Sequence, residues 1–195
     1  TIGVLLLLAA APAVFLLNYL VLLPVYARDI LDIGAAGLGL LTAAIGIGAL
    51  VGALGVAILR PSGGSGRLVI AGLGAASVAL VVFALSGWLP LSLLALAILG
   101  GCQVAYYATT NTLIQILVPA RLRGRVMSLY ILTSWGAIPV GNLLAGIVAE
   151  RFGAPVALAG GGVLTLVVLG AVVAAYPPLR ALRVDPVAAR LAPNN

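Results

Sequence analysis

Long uncharged runs alternate along this chain with short clusters of Arg, Asp, Pro and Gly, and the runs predict its elements. Ending each run at such a cluster gives six segments, at about 2–26, 36–59, 68–87, 91–118, 126–149 and 156–176. A helix needs about 20 mostly apolar residues to cross the hydrocarbon of a bilayer, and each segment is long enough. The 28 residues from Leu91 to Val118 imply tilt or an overhang. Strand-type alternation is absent, so a β-barrel is not expected. The predicted fold class is an all-α integral membrane protein, a six-transmembrane-helix bundle over residues 1–176 with a cytoplasmic tail at 177–195.

Composition supports this picture. Charged residues make up 7% of the chain against about 25% in a soluble domain, which excludes a water-soluble globule. All ten basic residues are Arg, and the net charge of +6 is too thinly spread for a nucleic-acid surface. Its position is informative. With six spans, Arg60, Arg67, Arg121, Arg123, Arg125, Arg180, Arg183 and Arg190 share one side, and only Arg28 and Arg151 face the other. By the positive-inside rule both ends lie in the cytoplasm of a multi-pass protein of the cell inner (plasma) membrane. The lone Cys102 has no partner for an intrachain disulfide and reads as a small packing residue. The chain starts at Thr1 without an initiator Met and reads as a fragment.

No Asp, Glu, Lys, Arg or His lies well inside a predicted span, so neither a proton relay nor a metal cage is expected, and no cofactor or enzymatic activity. The fourth segment is the polar exception. At about 100° per residue Gln103, Tyr106, Tyr107, Thr110 and Asn111 fall within an arc of about 140°. That face is either the wall of a water-filled cavity contacting a polar or aromatic substrate, or a seam of interhelical hydrogen bonds worth about 0.6 kcal/mol each. The first segment adds Asn18, Tyr19 and Tyr26, and the fifth adds Tyr130, Thr133, Ser134, Trp135 and Asn142. The third and sixth have little beyond Ser77, Ser86 and Thr165 and suit a lipid-facing periphery. The cavity candidates are Asn18, Gln103, Tyr106, Tyr107, Thr110, Asn111, Tyr130 and Ser134.

Glycines add an internal echo. Gly48 and Gly52 in the second segment match Gly136 and Gly141 in the fifth, with Gly55 and Gly146 following, each five residues before an Arg. This pairs segments two and five, as two three-helix repeats require. The same glycines also permit close helix packing. Pro12, Pro24 and Pro139 lie within or at the ends of segments, where each invites a kink.

The run Val118-Pro119-Ala120-Arg121-Leu122-Arg123-Gly124-Arg125-Val126-Met127-Ser128-Leu129, then Pro139-Val140-Gly141-Asn142 and Glu150-Arg151-Phe152-Gly153, resembles the C-terminal half (last six helices) of a major facilitator superfamily transporter. Among these it is similar to bacterial drug-efflux and siderophore-exporter members. The resemblance implies one half of a twelve-helix efflux antiporter that works by alternating access on a small amphipathic substrate. Its partners would be the lipid bilayer and an N-terminal six-helix half. The first, second, fourth and fifth helices of each half line that family's cavity. Its loop between the second and third helices reads roughly G-x-x-x-D-R-x-G-R. Here Gly55, Arg60, Gly66 and Arg67 follow that pattern, with Leu59 in place of the acid. Arg60, Gly66, Arg67, Arg123, Gly124 and Arg125 are therefore the gate or loop motif, with topological anchoring as the competing role. A second resemblance, of Pro178-Leu179-Arg180 through Arg190 to the cytoplasmic end of ABC-type permeases, leaves an ABC permease subunit as an alternative, beside a noncatalytic membrane scaffold.

Overall fold

Lipid offers a backbone no hydrogen-bond partners, so apolar runs of this length must close their bonds internally as helices. A computed structural model describes residues 2–59 and 66–182. Arg60, Arg183 and Arg190 lie outside the described residues. Among the described residues six helical stretches are long and apolar enough to cross a membrane. Two of them are each made of two helices. Span one is α1 (Ile2–Phe15) and α2 (Tyr19–Asp29), and span five is α6 (Ala120–Trp135) and α7 (Ile138–Phe152). The others are α3 (Gly34–Leu59), α4 (Gly66–Leu85), α5 (Leu89–Leu117) and α8 (Ala154–Ala175), and a short α9 (Pro178–Ala181) follows.

Pro12 accounts for the break in span one. Proline has no N–H to give the carbonyl four residues earlier, here that of Leu8. The Tyr106 hydroxyl on α5 supplies the missing donor at 2.5 Å. The ladder then slips, with the Leu16 and Leu17 N–H groups both bonding the Pro12 carbonyl at 2.9 Å. Asn18 Nδ2 donates to the Val14 carbonyl at 2.9 Å. Tyr26, one of the polar residues of segment one, has a similar role at the end of α4. Its hydroxyl lies 2.9, 3.1 and 2.7 Å from the carbonyls of Phe83, Ala84 and Ser86, which a helix C-terminus otherwise leaves unpaired.

Span five starts earlier than its apolar run. Arg121, Arg123 and Arg125, with Gly124, sit exposed on the first turns of α6, where the sequence pattern predicts a loop. Long Arg side chains reach water or head groups from a helix, so their charge does not end it. Gly66 and Arg67 likewise belong to the first turn of α4. The Gly66 N–H donates to the Leu182 carbonyl at 3.0 Å, and Arg67 Nε to the Arg180 carbonyl at 3.2 Å. This ties the start of span three to the segment after span six. At the other side, α7 and α8 are joined by Gly153 alone, whose φ of +89° is a conformation side-chain-bearing residues rarely adopt.

Packing follows the small residues. α3 lies along α5 so closely that a Cβ at Gly48 would run into the Ala97 carbonyl, and one at Gly52 into the backbone of Gly101. Span five repeats the arrangement against span one, where a Cβ at Gly141 would meet the Val14 carbonyl and Asn18 Oδ1. Of the echoing glycines, Gly48 and Gly52 thus pack on span four and Gly141 on span one, whereas a Cβ at Gly136 would meet Leu132 of its own helix. Spans three and six pack on each other at Gly162, Ser77 and Val81, and Ser77 and Thr165 are fully buried. Their hydroxyls bond the Leu73 and Gly161 carbonyls one turn back. The lipid-facing expectation for segments three and six thus fails at these residues, because a hydroxyl that bonds its own helix can be packed inside the bundle. Spans two and five are the least buried. Their open faces carry Ile47, Leu50, Leu54 and Ile58 on α3, and Leu132, Trp135 and Leu143 on α6 and α7.

Candidate functional site

The breaks in spans one and five fall near the middle of each span. Between these two spans and α5 lies a cavity of about 600 Å³. α5 presents Gln103, Tyr107 and Asn111 to it, span five presents Tyr130, Trp135 and Asn142, and Leu17, Leu20 and Val21 close the side of span one.

Most hydroxyls in the bundle are already used locally. Thr109, Thr112, Ser128 and Thr133 each bond a carbonyl four residues back, which leaves them little capacity for a ligand. The cavity groups differ. Tyr19, buried on α2, donates its hydroxyl to Gln103 Oε1 at 3.1 Å. That bond orients the amide with its nitrogen on the other side, and Gln103 Nε2 has no hydrogen-bond partner among the described residues. Tyr107 Oη and Asn142 Oδ1 are buried and unpartnered in the same sense. Gln115 Nε2 donates to Asn111 Oδ1 at 2.8 Å, leaving the Asn111 amide N–H groups as donors. A buried polar group without a partner costs about 1–3 kcal/mol. Three of them around one cavity are a place where water or a polar ligand regains that energy.

The remaining candidates separate from this wall. Tyr106 is 1% exposed and caps Leu8, although its ring meets that of Tyr107 edge-on at 5.0 Å. Thr110 and Ser134 are buried outside the cavity lining, and their hydroxyls also have no partner among the described residues. Asn18 closes the break in span one against Gly141. Gln103, Tyr107, Asn111 and Tyr130 are thus brought together, and Asn18, Tyr106, Thr110 and Ser134 are not. Asn142 and Trp135 join the wall without having been among the candidates; their signal was the polarity of segment five. The apolar lining of Leu17, Leu20, Val21, Met127, Ile131 and Ile138 left no such signal, because an apolar residue in a span reads the same toward a cavity as toward lipid. No cluster of His, Cys, Asp or Glu able to hold a metal occurs among the described residues.

A family model described as transmembrane secretion effector matches residues 1–193. A search of curated proteins finds no match. The chain belongs to that family, and it is a transporter of the major facilitator type. The family is one of transporters, and membership of a major facilitator family replaces the ABC permease alternative.

Proposed function

We propose that the chain is the C-terminal half of a secondary transporter that exports a small amphipathic compound, drug-like or siderophore-like, by alternating access. The cavity between spans one, four and five forms its half of the pathway. The observation that carries this reading is the set of unpartnered groups Gln103 Nε2, Tyr107 Oη and Asn142 Oδ1, which line one cavity beside flat aromatic surfaces. Phenol and indole rings suit the apolar part of an amphipathic compound, and the amides orient its polar part. The open faces of spans two and five support a missing N-terminal six-helix half as partner. Superfamily sites lie between repeats near the bilayer midplane, so this wall needs an opposite one. The Arg asymmetry supports an inner-membrane location with both ends of the segment cytoplasmic. Arg123 and Arg125 keep their role as a cytoplasmic gate, in competition with anchoring to anionic head groups.

Reconstitution tests the proposal. Vesicles containing these six spans alone should release an amphipathic dye such as ethidium no faster than empty vesicles. Vesicles that also contain the proposed N-terminal six-span half should release it several-fold faster. Transport by the six spans alone would contradict the half-transporter reading.

A further inference from the structure

Asn18 and Tyr19 stand side by side at the join between α1 and α2, and each reaches a different wall of the cavity. Asn18 Nδ2 bonds the Val14 carbonyl, and a Cβ on Gly141 of span five would come within 2.8 Å of its Oδ1. The Tyr19 hydroxyl donates to Gln103 Oε1 on span four at 3.1 Å. The backbone around the pair is not a regular α-helix. Leu16 and Leu17 share the Pro12 carbonyl, and the Leu20 and Val21 N–H groups reach carbonyls only three residues back, at 3.3 and 3.2 Å, the tighter winding of a 3₁₀ turn. The break that begins at Pro12 therefore sets where the side chain of residue 19 is aimed.

A glutamine amide has an accepting end and a donating end of nearly the same shape, so its hydrogen-bond partner decides which of them faces a cavity. For Gln103 that partner is Tyr19. No other hydrogen bond to this amide occurs among the described residues, and its Nε2 is left free. Asn111 differs, because Gln115 of its own helix holds it at 2.8 Å whatever span one does. Tyr19 is 1% exposed and lies outside the cavity lining, so it acts on a ligand only through Gln103. A displacement of about 0.5 Å takes such a bond out of hydrogen-bond range. The amide is thus sensitive to small changes in the first turn of α2.

We infer that Tyr19 is a positioning residue that turns the donating end of Gln103 to the cavity, and that it couples the break in span one to the hydrogen-bonding character of the binding wall. While the break holds, the wall offers an N–H at Gln103. When the turn at 16–18 rewinds, the amide is released and presents either end. The consequence for export rests on the function proposed above; the bond and its control by the break do not.

Glutamine occurs at two positions, Gln103 and Gln115, so isotope labelling of glutamine nitrogen alone gives two side-chain amide signals in a magnetic-resonance spectrum of the chain in lipid nanodiscs. Tyr19→Phe removes one hydroxyl and keeps the ring. It should move the Gln103 signal toward that of free glutamine and speed its exchange with water at least several-fold, with Gln115 unchanged. Pro12→Ala, which gives the Leu8 carbonyl a backbone donor and lets the helix run on, should do the same with Tyr19 intact. In the full-length protein Tyr19→Phe should lower the KM for export of ethidium, whose amino groups need an acceptor, several-fold at unchanged maximal rate, and Gln103→Leu should abolish that difference. An unchanged Gln103 signal in Tyr19→Phe would overturn the positioning role, and an unchanged one in Pro12→Ala would overturn the coupling. Loss of stability or maximal rate with no change at Gln103 would make Tyr19 a packing residue. A full-length protein that exports no ethidium would count against the proposed function, while the amide signals would still decide this inference.

Discussion

Gly52→Leu is expected to lower the thermal unfolding midpoint of the detergent-solubilised bundle by roughly 5–10 °C, which corresponds to about 1–3 kcal/mol at this chain length. The reason is contact between backbones. A Cβ at Gly52 would overlap the Gly101 carbonyl and approach the Gly101 Cα to 2.7 Å. Neither group can yield, because both belong to helical backbone. In lipid, helices gain nothing by hiding apolar surface from each other, so this close van der Waals seam is what holds α3 to the bundle. Gly46→Leu, on the same helix but with nothing within 4 Å of its Cβ position, should leave the midpoint within about 2 °C, since leucine also gains helix propensity. Equal effects of the two substitutions would show that glycine acts through backbone flexibility and not through contact.

The second large effect is expected in export. In the full-length protein Gln103→Leu or Asn142→Leu should reduce efflux of a polar amphipathic compound about 5- to 30-fold at unchanged membrane abundance, the loss of one or two hydrogen bonds to the ligand. Tyr107→Ala should change which compounds are exported. Tyr106→Phe is the informative neighbour, because its hydroxyl bonds the Leu8 carbonyl that Pro12 leaves unpaired. That substitution should lower abundance or thermal stability and leave the spectrum of exported compounds unchanged. Efflux assays on membranes normalised for protein content read both outcomes. A changed spectrum with Tyr106→Phe would contradict the division of roles between the two tyrosines.

The number and helical nature of the spans are legible because lipid penalises every alternative for a long apolar run. The start of α6 at Ala120 is not, since charge marks where a side chain meets water and not where a helix ends. The cavity face is half legible for a geometric reason. A 140° arc on α5 covers two neighbours: Gln103, Tyr107 and Asn111 follow one side of it into the cavity, while Tyr106 and Thr110 lie on the other and face the packed interior. Periodicity gives the stripe, but only the position of α1 and α4 shows where it divides. Pro12 did carry a readable signal, a free carbonyl at Leu8; that Tyr106, 98 residues away, answers it is a tertiary fact.

The central claim is that one side of α5 faces an aqueous pathway in the assembled transporter. Single-cysteine maleimide reactivity along 97–115, in a Cys102→Ala background of the full-length protein, tests it most directly. Cysteines at Gln103, Tyr107 and Asn111 should react, and their reaction should slow when an exported compound is present, whereas cysteines at Leu99 and Leu113, which are fully buried, should not react. On whole cells an impermeant reagent should label Glu150→Cys, which is exposed, and spare Ala120→Cys if the Arg-rich side is cytoplasmic. Reactivity without helical periodicity, or peaking on the side of Leu99 and Leu113, would contradict the account and return the polar stripe to helix packing.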